Sequence, residues 1–293
     1  MFIRKLMATT ALIIISSTAH ANSVEFEQYG SNNVATLEQV GQANEIFGLQ
    51  AGDNNLTIVA QNGNDNTAAA YTGTYNNNNG TGRASSVETI IRQNGEFNGA
   101  SVVTGNYDGL HSGSNSSILQ QGAVNRAEIT DFTSGGNTAT IEQRGNNNNA
   151  QTALGGSAAS GNTSSTEVLG NSNITNNVVF GSGNTVSNAV VGFSNLSNND
   201  LSGEQNQTSA TVEGSNNLLN SRNIGVNNEF ELIQTGFQNE MFVLGESGNS
   251  YNSVEAAQRG VRNAARITQS GSNLRVNFSQ TGVGNQAEIS QRN

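Results

Sequence analysis

A chain of 293 residues that is only 34% hydrophobic, with neither proline nor cysteine, lacks the apolar content of an ordinary globular core and the disulfides that could compensate for it. Its net charge of −10 disfavours binding to phosphate backbones, which requires clustered Lys or Arg. Composition alone points to disorder, but the chain carries an internal period.

The chain opens with Arg4 and Lys5, an apolar run closing at Leu12 to Ile15, and Ala19-His20-Ala21. These form the charged end, hydrophobic middle and small-residue cleavage site of a secretory signal, predicted over 1–21. The apolar run is shorter than the roughly 20 residues a membrane helix needs, so no membrane anchor is expected. Loss of this segment removes Arg4 and Lys5 and leaves 10 basic against 22 acidic residues, a net charge of −12 with no lysine. Self-repulsion of that size keeps a chain soluble before assembly.

From residue 22 onward the sequence reads h-x-h-x-Q-x-G-x-x-N-x, as in Val24-Glu25-Phe26-Glu27-Gln28-Tyr29-Gly30-Ser31-Asn32-Asn33-Val34. The alternating start is a strand that places Val24, Phe26 and Gln28 on one face. The glycines Gly30, Gly41, Gly52 and Gly63 and the asparagines Asn33, Asn44, Asn55 and Asn66 are predicted turn residues, since glycine accepts positive φ and asparagine tolerates left-handed geometry. One 11-residue unit is a strand and a turn, and two make a strand-turn-strand arch. Stacked arches give an all-β solenoid with two parallel sheets, about 22 residues per rung and at most about 12 rungs.

Inward glutamines test this arrangement, because a buried amide without a partner costs about 1–3 kcal/mol. In register, Gln28 meets Gln50 on one sheet and Gln39 meets Gln61 on the other, forming amide ladders of the cross-β kind. The same position recurs at Gln93, Gln120, Gln143, Gln234, Gln258, Gln269, Gln280 and Gln291, and these residues are the predicted self-assembly ladder. Glu27 and Glu38 fall on opposite sheets and are succeeded one rung later by Leu49 and Ala60, which avoids stacked like charges. Outward Arg92, Glu142 and Arg144 are expected to oppose sideways aggregation.

Stretches rich in Gly, Ser and Asn predict irregular rungs or loops near 69–86, 104–115, 154–164 and 245–253. Between them, Gly170, Gly181, Gly192, Gly203, Gly214, Gly225 and Gly236 keep the 11-residue phase. There the glutamine position holds Val168, Val179, Val190, Leu201, Val212 and Asn223, so an aliphatic ladder is expected to replace the amides. Residues 22–293 are read as one domain whose end rungs carry no capping sequence and are expected to pair with something.

The units Gln28-x-Gly30-x-x-Asn33-x-Ala35-x-Leu37-x-Gln39, Gln143-x-Gly145-x-x-Asn148-x-Ala150 and Gln280-x-Gly282-x-x-Asn285-x-Ala287-x-Ile289-x-Gln291 resemble the curlin repeat of bacterial curli fibre subunits. The resemblance implies a secreted subunit that polymerises outside a Gram-negative cell into functional amyloid serving biofilm matrix, adhesion and cell aggregation. It also implies self-association, a second curlin-type subunit, periplasmic chaperones and an outer-membrane export pore as partners. The family's second turn glycine is replaced here by Asn32, Ala43, Asn54 or Asp65, which predicts looser turns.

Enzyme chemistry finds little support. Past the signal the chain has no Lys or Cys and one histidine, His111, read as a solvated loop residue, whereas β-helical lyases and hydrolases need converging acids and bases. Asp53, Asp65, Asp108, Asp131 and Asp200 keep no common phase, unlike the ligands of calcium-binding repeats. No cofactor or metal is expected. A monomeric solenoid adhesin is one alternative and an ice-binding protein another, although Thr57, Thr89, Thr130, Thr140, Thr211 and Thr268 form no outward threonine row.

Overall fold

The computed structural model describes residues 10–16, 22–73, 84–105, 111–133, 135–156, 159–246, 248 and 250–293. Parts of the signal and of the predicted irregular segments lie outside these residues. The first strands are β1 (Thr10–Ser16), β2 (Ser23–Ser31), β3 (Val34–Gln42), β4 (Glu45–Asp53), β5 (Leu56–Asn64), β6 (Thr67–Thr72), β7 (Ala84–Ser85), β8 (Glu88–Glu96) and β9 (Gly99–Thr104). Next come β10 (His111–Ser112), β11 (Asn115–Ala123), β12 (Arg126–Asp131), β13 (Thr138–Arg144), β14 (Asn149–Gly155), β15 (Thr163–Asn171), β16 (Ile174–Ser182), β17 (Thr185–Phe193) and β18 (Leu196–Glu204). The stack closes with β19 (Gln207–Ser215), β20 (Leu218–Val226), β21 (Glu229–Phe237), β22 (Glu240–Gly245), β23 (Ser253–Val261), β24 (Ala264–Ser270), β25 (Arg275–Val283) and β26 (Gln286–Arg292).

These strands form two sheets, one of 12 strands (β1, β3, β5, β8, β11 and onward through odd numbers to β25) and one of 14 (β2, β4, β6, β9, β12 and onward through even numbers to β26, with β7 beside β4 and β10 beside β7). Every strand pairing is parallel, and Gln28 faces Gln50 as Gln39 faces Gln61. The chain is thus the expected solenoid of arches, with the core between the sheets.

The uninterrupted turns share one backbone. Gly30 has φ 103° and Gly41 φ 111°, and two residues later Asn32 and Ala43 sit at 55° and 52°. Asn33, Asn44, Asn55 and Asn66 are not the left-handed residues, which corrects the role assigned from sequence; the residue before each of them is. A left-handed L-residue costs roughly 1–2 kcal/mol, and the position that holds Gly183 and Gly284 elsewhere is here filled by Asn, Asp, Ala, Phe and even Val124 (φ 58°). The glycines of the turn are needed for a second reason. A Cβ on Gly192 would lie 1.9 Å from the Gly214 carbonyl oxygen of the next rung, so the rungs approach too closely for any side chain.

The longer repeats keep register, and the breaks between their strands all fall at one corner of the stack. The interruptions after Thr72, Thr104, Asp131, Gly155 and Gly245 all follow strands of the 14-stranded sheet. The chain re-enters through β7 on Gly52 and Asp53, through β10 on β7, and through bridges at Gly135, Ser160 and Ser250. This placement corrects the reading of His111: it lies in β10 and is 1% exposed, because β10 pairs with β7, which itself pairs with the Gly52–Asp53 end of β4.

Charge placement is less uniform than expected. Glu27 faces Leu49 and Glu38 faces Ala60, but Glu142 faces Glu167 and Glu231 faces Glu255. An ion pair with Arg144 offsets the first of these.

Candidate functional site

Two kinds of side-chain ladder run along the stack. In the 12-stranded sheet the Nε2 of Gln39 donates to Gln61 Oε1, Gln61 to Gln93, Gln93 to Gln120 and Gln120 to Gln143, each at 2.9 Å. Gln234, Gln258 and Gln280 form a second run at 2.9 Å. The 14-stranded sheet holds two short runs, Gln28 to Gln50 at 2.7 Å and Gln269 to Gln291 at 3.2 Å. The second hydrogen of the amide reaches a backbone carbonyl on the opposite strand, as from Gln39 to Ser23 and from Gln61 to Glu45. Gln61, Gln93 and Gln120 therefore each join neighbouring rungs and also tie the two sheets together.

The asparagine ladder is the more continuous one, and sequence reasoning treated it as turn chemistry. Asn44 donates its backbone N–H to Asn22 Oδ1, Asn66 to Asn44, and Asn98, Asn125, Asn148, Asn173, Asn195, Asn217, Asn239, Asn263 and Asn285 follow in turn. The side-chain Nδ2 meanwhile donates to a glycine carbonyl of the next rung, at 2.7 Å from Asn33 to Gly52 and 2.8 Å from Asn44 to Gly63. Nearly all these asparagines are buried. Amide and glycine are thus interdependent: the bare glycine lets the rungs close up, and the asparagine satisfies the carbonyl left in the corner. The signal was present in the sequence, since the asparagine persists through the middle run where the glutamine does not.

That middle run reverses the inner columns. Val168, Val190 and Val212 continue the glutamine column of one sheet, and Val179 and Leu201 that of the other, all buried. Two residues upstream, where the outer rungs hold Leu37, Val59 and Ile91, the middle rungs hold Thr166, Asn177, Asn188, Asn199 and Ser221. These polar groups satisfy one another: Asn177 donates to Thr166 at 2.8 Å, Asn188 and Asn199 each donate to Asn177 at 3.1 Å, and Ser221 donates to Asn199 at 2.7 Å. The buried amides have moved across the rung, and they lie where the two hydrophobic clusters of the core meet.

The corner insertions build a third polar feature. The Oγ1 of Thr133 and the Nδ2 of Asn137 donate to Asp131 Oδ1 at 2.7 and 3.2 Å, His111 Nδ1 lies 2.8 Å from the Thr133 carbonyl oxygen, and His111 Nε2 is 3.7 Å from Asp131 Oδ2. His111 and Asp131 are each 1% exposed. Both are enclosed, so the pair fills the corner without facing a substrate.

At the β2 and β3 end of the stack the ladders stop with acceptors unmet. Gln28 Oε1 and Gln39 Oε1 are buried and accept no hydrogen bond. Gln234 also begins a ladder and has the same unmet atom, but there the preceding rung is closed by Val212. Beside Gln28, among the described residues, β2 pairs with β4 alone. Beside Gln39 lies β1, from the stretch read as a signal, with Ile15 as the neighbour of Gln39.

Comparison with known proteins bears on the last rungs. No curated protein matches the chain. Residues 252–282 match the family model of the curlin associated repeat. The stretch that holds β23, β24 and most of β25 is therefore similar to the curlin associated repeat, the family that the Gln, Gly and Asn spacing also resembles.

Proposed function

We propose that the chain is a secreted structural subunit, freed of residues 1–21, which polymerises end to end into curli-like amyloid fibres outside a Gram-negative cell. Such fibres would serve biofilm matrix, adhesion and cell aggregation, with no enzymatic step. The observation that carries this reading is the ladder system running off the stack: Gln28 and Gln39 present buried acceptors with no partner among the described residues, and a buried unmet amide group costs about 1–3 kcal/mol. A second copy supplies the missing donors at no cost in new architecture. Export through an outer-membrane pore, escort by periplasmic chaperones and a second curlin-type subunit belong to the same proposal and rest on the family likeness.

Purified residues 22–293 should convert after a lag into thioflavin-positive fibres with reflections near 4.7–4.8 Å and about 10 Å. A monomer unchanged for days at high concentration would overturn this reading. That outcome would favour a monomeric adhesin. An ice-binding role gains nothing from the threonines, since Thr57 and Thr89 are buried.

A further inference from the structure

Strands alternate between the sheets, and the run from β2 to β26 begins and ends in the 14-stranded sheet. If copies stacked by translation alone, β2 would sit on β26 while β3 faced β25 across an empty strand position, a gap of about 9.5 Å. Aligning Gln28 with Gln291 in that arrangement would also set Glu25 on Glu288, a like-charge pair on adjacent strands.

We propose that neighbouring copies join with a half turn about the stacking axis, so that β2 of one copy pairs with β25 of the next and β3 pairs with β26. Each sheet then continues into the other sheet of its neighbour. The proposal rests on the fibre reading above and specifies its contact.

The two sheets are built from the same 11-residue unit, so either can follow the other. Within the chain Gln258 faces Gln280 and Gln269 faces Gln291. The same register carried one step further brings Gln280 to Gln28 and Gln291 to Gln39. It also matches Val276 to Val24, Phe278 to Phe26, Ala287 to Ala35, Ile289 to Leu37 and Gly282 to Gly30. Outward, Ser279 meets Glu27, Ser290 meets Glu38 and Glu288 meets Thr36, with no like charges opposed.

Hydrogen-bond polarity agrees. Along every glutamine run Nε2 donates toward the higher residue number, as from Gln258 to Gln280. Gln280 and Gln291 are the last donors of their runs, and Gln28 and Gln39 hold the unmet acceptors. The asparagine ladder runs the opposite way and also fits, because Asn285 accepts the place of partner to the Asn33 backbone N–H, as Asn33 does for Asn55 at 3.0 Å. The reversed inner columns of the middle rungs match neither end, so a copy cannot settle there with its amides paired. Removal of β1 frees the β3 edge for β26.

The absence of native cysteine permits a direct test in fibres grown from residues 22–293. Facing positions on paired strands lie about 4.7–4.9 Å apart, within disulfide reach. Under mild oxidation the double variant Glu38→Cys/Ser290→Cys should give a ladder of covalent oligomers on a non-reducing gel, and Glu27→Cys/Ser279→Cys should do the same. Glu27→Cys/Ser290→Cys should remain monomeric. Oligomers from Glu27→Cys/Ser290→Cys alone would establish stacking by translation and overturn the half turn while leaving the fibre reading intact. Fibres that cross-link in none of the three variants would place the contact on another surface and overturn the proposal. Failure of all variants and of the parent chain to form fibres would overturn the underlying reading as well.

Discussion

Asn55 donates both its backbone N–H and its side-chain amide to Oδ1 of Asn33, at 3.0 and 3.1 Å, although the two residues are 22 apart in sequence. One acceptor thereby fixes the register of two rungs at the corner, where the strand hydrogen bonds end. The link recurs along the stack and gives the asparagine a structural weight that its place in a turn does not suggest.

Asn148 shows the consequence for stability. It accepts from Asn173, donates to Asn125 and donates to the Gly170 carbonyl at 2.7 Å, so Asn148→Ala leaves several buried groups unmet at about 1–3 kcal/mol each. Gln143→Ala removes fewer bonds in the same region, to Gln120 and to the Arg126 carbonyl. Urea denaturation should show the larger fall in midpoint for Asn148→Ala. An equal or smaller fall would mean that the glutamines dominate the stack.

Gly192→Ala should be more damaging than either. Its Cβ would fall 1.9 Å from a backbone oxygen of the next rung, and backbone in a sheet cannot move aside without breaking the ladder. The expected outcome is loss of cooperative unfolding by circular dichroism, and a folded variant with an unchanged midpoint would refute the close approach.

Val124→Gly should stabilise. Val124 is half exposed with φ 58°, a conformation that costs a β-branched residue roughly 1–2 kcal/mol, against about 0.5–1 kcal/mol for the added chain entropy of glycine. A gain of about 0.5–1 kcal/mol, read as a rise of a few degrees in melting temperature, is expected. A fall would show that the turn relaxes in solution.

Replacing Gln28, Gln39, Gln269 and Gln280 with alanine should lengthen the lag and slow elongation several-fold, while His111→Ala leaves growth close to that of the parent chain. His111 is enclosed at a corner three strand steps in from β2, so its loss costs local stability but removes no contact between copies. Equal kinetics for the two variants would count against the ladders as the growth surface.

Much of this was legible in the sequence. The unbroken spacing of glycine and asparagine defined the rung, and the alternation around Phe26 and Gln28 defined which side chains point inward. What escaped were features that depend on a neighbouring rung. A positive φ at Ala43 or Val124 follows from the geometry of the corner and not from the preference of the residue. The burial of His111 depends on where inserted segments rejoin the stack, which no local pattern reports. The exchange of amide and aliphatic columns was half visible: the valines at 168, 179 and 190 stood out, whereas Asn177, Asn188 and Asn199 share the same 11-residue phase but were hidden among so many asparagines.

Parallel, in-register stacking of units 22 residues apart is most directly tested by paired spin labels at outward positions of the first rungs. Glu27 and Leu49 face each other on β2 and β4, so labels there should sit within about 10 Å and show strong dipolar broadening. Labels at Glu27 and Glu38, on opposite sheets and facing away from each other, should show none. Broadening between Glu27 and Glu38 with none between Glu27 and Leu49 would mean that adjacent segments pair as hairpins, and the stacked solenoid would be wrong.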